Sequence, residues 1–430
     1  MMIWTDSCHQ SASDLPFLSF PISVFSFFPY FLLSSTSFHT PKHTQIKSTE
    51  FRSVSSLSLM DDPPKHRLLT LLNALKEASK ALHTNTNPFS FLFSTDSSAA
   101  IDTLLDLEVK AHAVFSSDPN LRNLSSILSS LPSLIDKLHK HRGYFPRSLL
   151  QRHLTKCKIS DLAGTIQSEI QKYIDRVAVR DLVDALQEPP SRQDEEQRQV
   201  KALVEFRQRL SQGFDVEFQD LVLRAKVFTL LECVLFEKSN SSSKHVKEEA
   251  AMTIAALVKF NKNVFVGLVL MGPTIKALIA MASACSIRVL SSLINFIRSP
   301  LVDEILCSGE ISKIIGFVRW RELGLRVAAL DCVLELGYIG RKEVVEAMVK
   351  EGVIEILMDL QREGCSECEC DLAFGNCVSR FAIQVEVGEG LSSQEKREIK
   401  SEILNIVKEV SQSEAEFATV SAEILWGSSP

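Results

Sequence analysis

The sequence predicts an all-α protein, a helical N-terminal domain followed by an α-solenoid. Three observations predict it. Apolar residues recur at three- and four-residue steps from Lys65 onward, the spacing of one buried helix face. Nothing between residues 60 and 190 reads as a strand pair or a Gly-rich phosphate loop. The last 180 residues repeat one unit, marked by Gly272, Gly309 and Gly352, which lie 37 and 43 residues apart. A unit of that size buries its apolar face only against its neighbours, so stacked copies share one continuous core.

Residues 1–59 differ in composition from the rest, being crowded with Phe, Ser, Pro and Leu and holding no Lys or Arg before Lys42. The uncharged run Leu15 to Leu33 approaches the length of a membrane span, but Pro16, Pro21 and Pro29 interrupt it and no basic start precedes it. Such residues come from pyrimidine-rich codons, so this stretch is read as a disordered or non-native leader, with Met60 as the expected native start.

The first domain is expected over 60–190. Leu68, Leu71, Leu72, Leu75, Ala78 and Leu82 form the stripe of a first helix, and Ile101, Leu104, Leu105, Leu107 and Val109 that of a second. A third pattern runs from Leu121 to His139, with Pro132 as a kink or break. Beyond Pro146 a helical stripe continues through Leu150, Leu154, Cys157, Leu162, Ile166, Ile170, Ile174, Val177, Leu182 and Leu186. Pro189-Pro190 and the polar residues that follow predict a linker over 191–199.

Helices over 200–210 and 218–236 precede the repeats. After the three glycines come Ile275, Leu278 and Ile279, then Ile311, Ile314 and Ile315, then Ile354, Leu357 and Met358. Longer closing helices carry Leu257 with Phe260, Leu293 with Phe296, and Val333 with Leu336. A divergent copy runs from Glu369 to Ile383 and on through Ile399, Ile403 and Val407.

Gly352-Val353-Ile354-Glu355-Ile356-Leu357 and Arg288-Val289-Leu290-Ser291-Ser292-Leu293-Ile294-Asn295-Phe296 resemble the two helix motifs of the armadillo repeat. The resemblance covers residues 200–430 and implies an armadillo-like solenoid that binds a protein or peptide in its groove. A helical domain ahead of such repeats is also similar to the plant U-box armadillo proteins, which are ubiquitin ligases. No U-box is recognisable, since the only echo of its Cys-Pro-Ile opening is Phe20-Pro21-Ile22-Ser23. Ligase activity is therefore not carried over, and a role within a ligase complex is the weakest alternative.

In armadillo import receptors the closing helices present ladders of Asn and Trp. The corresponding Asn positions here hold Lys259, Asn295, Glu335 and Ser379, and the Trp positions Ala255, Ser291, Asp331 and Gly375. An import receptor is not expected. Lys259, Asn295 and Glu335 are instead candidates for meeting a mixed-charge peptide or helix, with Trp320 as a contact anchor.

A second candidate is a basic stretch. Lys137, Lys140, Arg142, Arg147, Arg152, Lys156 and Lys158 fall in a segment with no acid, in a chain of net charge −6. It reads either as a solvated helix face or as a site for phosphate, an acidic or phosphorylated ligand, or an acidic lipid head group. No feature points to a specific nucleic acid, and a membrane partner is not the expectation.

Cys365, Cys368, Cys370 and Cys377 lack the paired spacing of a zinc site and read as core or incidental thiols. Carboxylates such as Glu248/Glu249 and Asp303/Glu304 are neighbours on a helix and diverge by about 100°. No nucleophile elbow, metal-binding His pair or Walker loop occurs. The sequence thus predicts a non-catalytic scaffold without cofactor or metal. The dispersed cysteines suit the cytosol or the nucleus.

Overall fold

The computed structural model describes residues 64–84, 121–140, 146–187, 193–236, 243–363 and 374–426. Among these, eighteen helices occur and no strand. The leader, the helix expected over 101–109 and the linker residues 191–192 lie outside the described residues.

Helices α1 (Pro64–Thr84) and α2 (Arg122–Lys140) pack on the long α3 (Pro146–Gln187). Leu72, Leu75, Leu124, Leu128, Leu131 and Ile135 close on Ile166 and Ile170, all essentially buried. Pro132 lies inside α2 and does not break it. Its missing N–H and its ring cost about 3 kcal/mol. Burying leucines on both sides of it offsets that, each worth about 1.5–3 kcal/mol.

At 42 residues, α3 is about 60 Å long by the α-helical rise. That length exceeds either core. Ile159, Ala163, Ile166 and Ile170 serve the first core, whereas Val179 and Leu182 belong to the second, which runs on to Ile424. At its other end the helix outruns the first core: Leu150, Leu154 and Cys157, expected on the buried stripe, are exposed.

The boundary between the two cores therefore falls inside α3 and not in a linker. Residues 193–199 open helix α4 (Gln193–Leu210), whose first turn carries Asp194, Glu195 and Glu196. Acids there favour the positive end of the helix dipole. Gln199 is buried and donates to the Ala185 carbonyl at 2.8 Å, tying α4 back to α3.

The repeats follow as short, short, long. Helices α5 (Val216–Arg224), α6 (Val227–Phe236) and α7 (Lys244–Phe260) form the first unit. The second is α8 (Lys262–Met271), α9 (Thr274–Met281) and α10 (Ala284–Ile297); the third is α11 (Ser299–Cys307), α12 (Ile311–Phe317) and α13 (Leu323–Ile339). The fourth comprises α14 (Lys342–Lys350), α15 (Val353–Arg362) and α16 (Cys377–Val387), and α17 (Ser393–Val410) with α18 (Glu414–Trp426) complete the array. Every aligned Ile, Leu and Met of the three short helices is buried.

Caps set the breaks. Asp215 accepts from the Glu217 and Phe218 backbone N–H groups at 3.0 and 3.1 Å to start α5. Ser283 with Ser286 and Ser392 with Glu395 form capping boxes at α10 and α17. The three marker glycines do not share one reason. Gly309 and Gly352 adopt φ of +70° and +78°, where a Cβ is strained. Gly272 is extended, but a Cβ there would meet Glu232 Oε1 at 2.2 Å and the Leu268 carbonyl at 2.7 Å.

Polar ties between units recur at the repeat period. Arg207 to Glu249, Asn261 to Gln219 and Thr274 to Glu232 each span 42 residues at 2.6 Å. Arg319 to Asp359 spans 40 at 3.0 Å, and Arg326 to Glu363 spans 37 at 2.6 Å. The two exposed pairs, Arg319 with Asp359 and Arg326 with Glu363, contribute under about 1 kcal/mol each. Each of the five ties joins one unit, or α4 ahead of the first, to the next.

A denaturation series separates the glycine roles. Gly309→Ala has open space around it, so only backbone strain applies, an expected loss of about 1–2 kcal/mol. Gly316→Ala, inside α12 with the same open space and no positive φ, is expected to gain about 0.4–1 kcal/mol. Urea midpoints of the two variants check the contrast, and equal midpoints would contradict it.

Candidate partner-binding face

The closing helices stack side by side: α4 on α7, α7 on α10, α10 on α13, and α13 on α16. The packing follows from the residues turned inward. Helix α10 buries Ile287, Leu290, Leu293, Ile294 and Ile297, and α13 buries Leu325, Ala328, Ala329, Val333 and Leu336. What remains on the outer side of this ladder is polar. It carries Lys259 on α7, Arg288, Ser291 and Asn295 on α10, Asp331 and Glu335 on α13, and Arg380 on α16.

Both charge signs are present along this ladder. Arg207 of α4 holds the nearly buried Glu249 of α7 at 2.6 Å. Those two, together with Glu248 and Arg288, converge on Cys285 of α10. Burial first, then the two glutamates, push that thiol up against the pull of the arginines. Further along, desolvation raises the Asp331 carboxyl, while Arg380 and Arg288 on the flanking helices lower it and Glu335 raises it. Asp331 still reaches solvent. Across the ladder α4 offers Arg207, α7 carries both signs through Glu248 and Lys259, and α10, α13 and α16 are positive, negative and positive.

The three candidates on the closing helices are placed as follows. Lys259 and Asn295 are exposed and Glu335 is half-buried, at corresponding positions of α7, α10 and α13. Asn295 turns its amide back to the Ser291 carbonyl at 3.3 Å. Ser379 does not join them. It is fully buried, with its hydroxyl on the Asn376 carbonyl at 2.9 Å, and Arg380 takes the solvent-facing position. Gly375 lies in the turn before α16, off the ladder. Trp320 sits in the turn between α12 and α13, half-exposed and edge-on to Phe317 at 5.9 Å.

Sequence reasoning passed over Arg288 and Arg380 and took Asp331 only as a missing Trp. Arg288 opens the matched helix motif and Asp331 precedes Glu335 by one turn, so both were visible as same-face neighbours. Arg380 was hidden by a one-residue shift in α16.

In the basic stretch, Lys137, Lys140, Arg147, Arg152 and Lys158 are exposed and Lys156 is half-buried; Arg142 lies outside the described residues. Burial, and then Arg152, lowers the Lys156 ammonium from its usual value. Of the cysteine cluster, only Cys377 is described. It is buried, donates to the Leu357 carbonyl at 3.1 Å, and burial pushes its thiol up to about 12. Among the described residues no three His, Cys, Asp or Glu side chains gather as a metal site would require.

No protein-family model matches this chain, and no curated protein matches it. Among solved structures it is similar to a designed armadillo repeat protein at 15% identity, covering 57% of this chain and 98% of that one with a TM-score of 0.39. It is also similar to a designed armadillo repeat protein in complex with the peptide (KR)4, at 16% identity, 57% and 99% coverage, and a TM-score of 0.40. A third likeness is to computationally designed armadillo repeat proteins for modular peptide recognition, at 16% identity, 56% and 99% coverage, and a TM-score of 0.38. The fold itself is an α-solenoid of stacked three-helix units.

Proposed function

We propose that the chain is a non-catalytic scaffold that holds a protein segment along the outer side of its closing-helix ladder. One observation carries this reading: five stacked helices bury their apolar stripes in each other and leave a polar face of mixed charge, with the negative Asp331 and Glu335 of α13 between the positive Arg288 of α10 and Arg380 of α16. A uniformly basic or uniformly acidic ligand meets like charge at part of such a face. A segment with both signs, extended or helical, meets complementary groups throughout. Lys259, Arg288, Asp331, Glu335 and Arg380 are the residues assigned to the contact.

A photo-crosslinking amino acid placed at Asn295 in the full chain tests this. Crosslinks to a discrete partner from Asn295, with none from Lys276 on the short helix α9, are the expected result. Equal capture at both positions, or capture at Lys276 alone, would remove the ladder as the binding face.

A further inference from the structure

We infer that residues 147–158 of α3 dock on an anionic lipid bilayer. The first observation is geometric. Gln151, Arg152, His153 and Leu154 are all exposed, and four consecutive residues at 100° steps cover almost the whole circumference of a helix. Burial starts only at Thr155 and Ile159, so this stretch projects beyond the core that holds the rest of the helix.

The second observation is what the projection carries. Leu150 and Leu154 are 62% and 52% exposed, one turn apart, on the side opposite Thr155 and Ile159. Arg147 and Lys158 flank them on one side of that outer face, and both are exposed. From Lys137 to Lys158 the chain has no acid, although the protein as a whole is acidic. Two leucines in water within a basic field are complementary to a surface that is negative at the head groups and apolar just beneath them. Long basic side chains reach the phosphates while their stems follow the leucines inward.

A helix stretch with four consecutive exposed residues suits a flat, deformable surface better than a cleft, which favours lipid over an acidic protein helix. Peripheral contact needs no spanning segment. Among the described residues no single helix is long and apolar enough to cross a membrane. The sequence offers an acidic lipid head group only as an alternative for this stretch and does not make a membrane the expected partner; the exposed apolar pair on α3 favours the lipid. This contact uses α3 alone and leaves the closing-helix face open.

Co-sedimentation of the full chain with phosphatidylcholine vesicles, with and without about one-third phosphatidylserine, tests the inference. The full chain is expected to partition at least about tenfold better onto the anionic vesicles, and less so as salt rises. Arg147→Glu with Lys158→Glu, and separately Leu150→Ser with Leu154→Ser, are each expected to lose about that tenfold gain at unchanged melting temperature. Asp331→Arg is expected to keep it. Absence of anionic-vesicle binding would overturn the inference, as would full binding by the leucine variant. Capture of an acidic helical peptide without vesicle binding would assign the tip to a protein instead.

Discussion

Arg209→Ala is expected to lower the stability of the full chain by about 3–5 kcal/mol, the cost of leaving a buried charge unpaired. Arg209 binds Asp175 of α3 through two bonds of 2.7 and 2.8 Å and Asp215 at 2.9 Å, and lies over the Phe218 ring at 4.4 Å. Its side chain is 12% exposed and that of Asp175 is 6%. This network sits where α3 passes from one core to the other, so its loss strands the Asp175 carboxylate at the seam. Removing both buried charges together, Arg209→Met with Asp175→Asn, is expected to cost less than Arg209→Ala, because the one carboxylate that loses its partner, Asp215, reaches solvent. Urea denaturation measures both. A loss below about 1 kcal/mol for Arg209→Ala would mean that the pair is solvated like a surface pair.

The same network gives a pH dependence. Burial would raise the Asp215 carboxyl, but the Phe218 N–H, the Arg209 guanidinium and the Glu217 N–H outweigh it and hold it below its ordinary value. A depressed carboxylate contributes stability above its unfolded pKa and loses it as pH falls through the folded one. The contribution is thus full at neutral pH and fades below about pH 4. Asp215→Asn is expected to be less stable at pH 7 and to flatten the decline below pH 4, read from melting temperatures across that range.

Phe381→Ala is the second large effect, an expected loss of about 3–5 kcal/mol from a fully buried aromatic. Phe381 fits because Gly337 of α13 has no side chain: a Cβ there would stand 3.0 Å from the ring. That missing side chain lets α16 approach α13 and extends the ladder by one helix. Because each unit touches mainly its neighbours, the damage is expected to stay local. Amide exchange is expected to rise in α16 and α17 and to remain slow in α7 and α8. Gly337→Leu, which overfills the same place, is expected to cost about 1–3 kcal/mol and to loosen the same helices. Uniform exchange across the array would contradict the local picture.

Much of this was legible in the sequence, and the exceptions have physical causes. The spacing of Ile275, Ile311 and Ile354 with their partners located the short helices, because only residues that pack in every unit recur at the period. Lys259, Asn295 and Glu335 came out solvent-facing for the same reason. The polar run at 193–199 read as a linker because it lacks an apolar stripe. Its acids suit a helix start, and its main buried contact is a polar one, through Gln199. Leu150 and Leu154 continue a perfect helical stripe, and periodicity cannot tell where the core beneath a stripe ends. Pro132 shows the converse, a local preference overruled by leucines packed on both sides. The mixed charge of the ladder needed the structure, since it joins residues from five helices. A fragment starting at residue 195 would strip Val179 and Leu182 from the core of the array, so the full chain is the right object to test.

Partner affinity of the full chain carrying Asp331→Arg with Glu335→Lys, set beside the Arg147→Glu with Lys158→Glu variant, tests the closing-helix face as the binding surface. Reversing α13 turns three neighbouring helices positive and is expected to weaken binding at least about tenfold, as truncating close charge pairs at interfaces does. The melting temperature is expected to hold, and the α3 variant to bind the partner as the unaltered chain does. Unchanged affinity in a folded α13 variant would rule out that face as the binding surface.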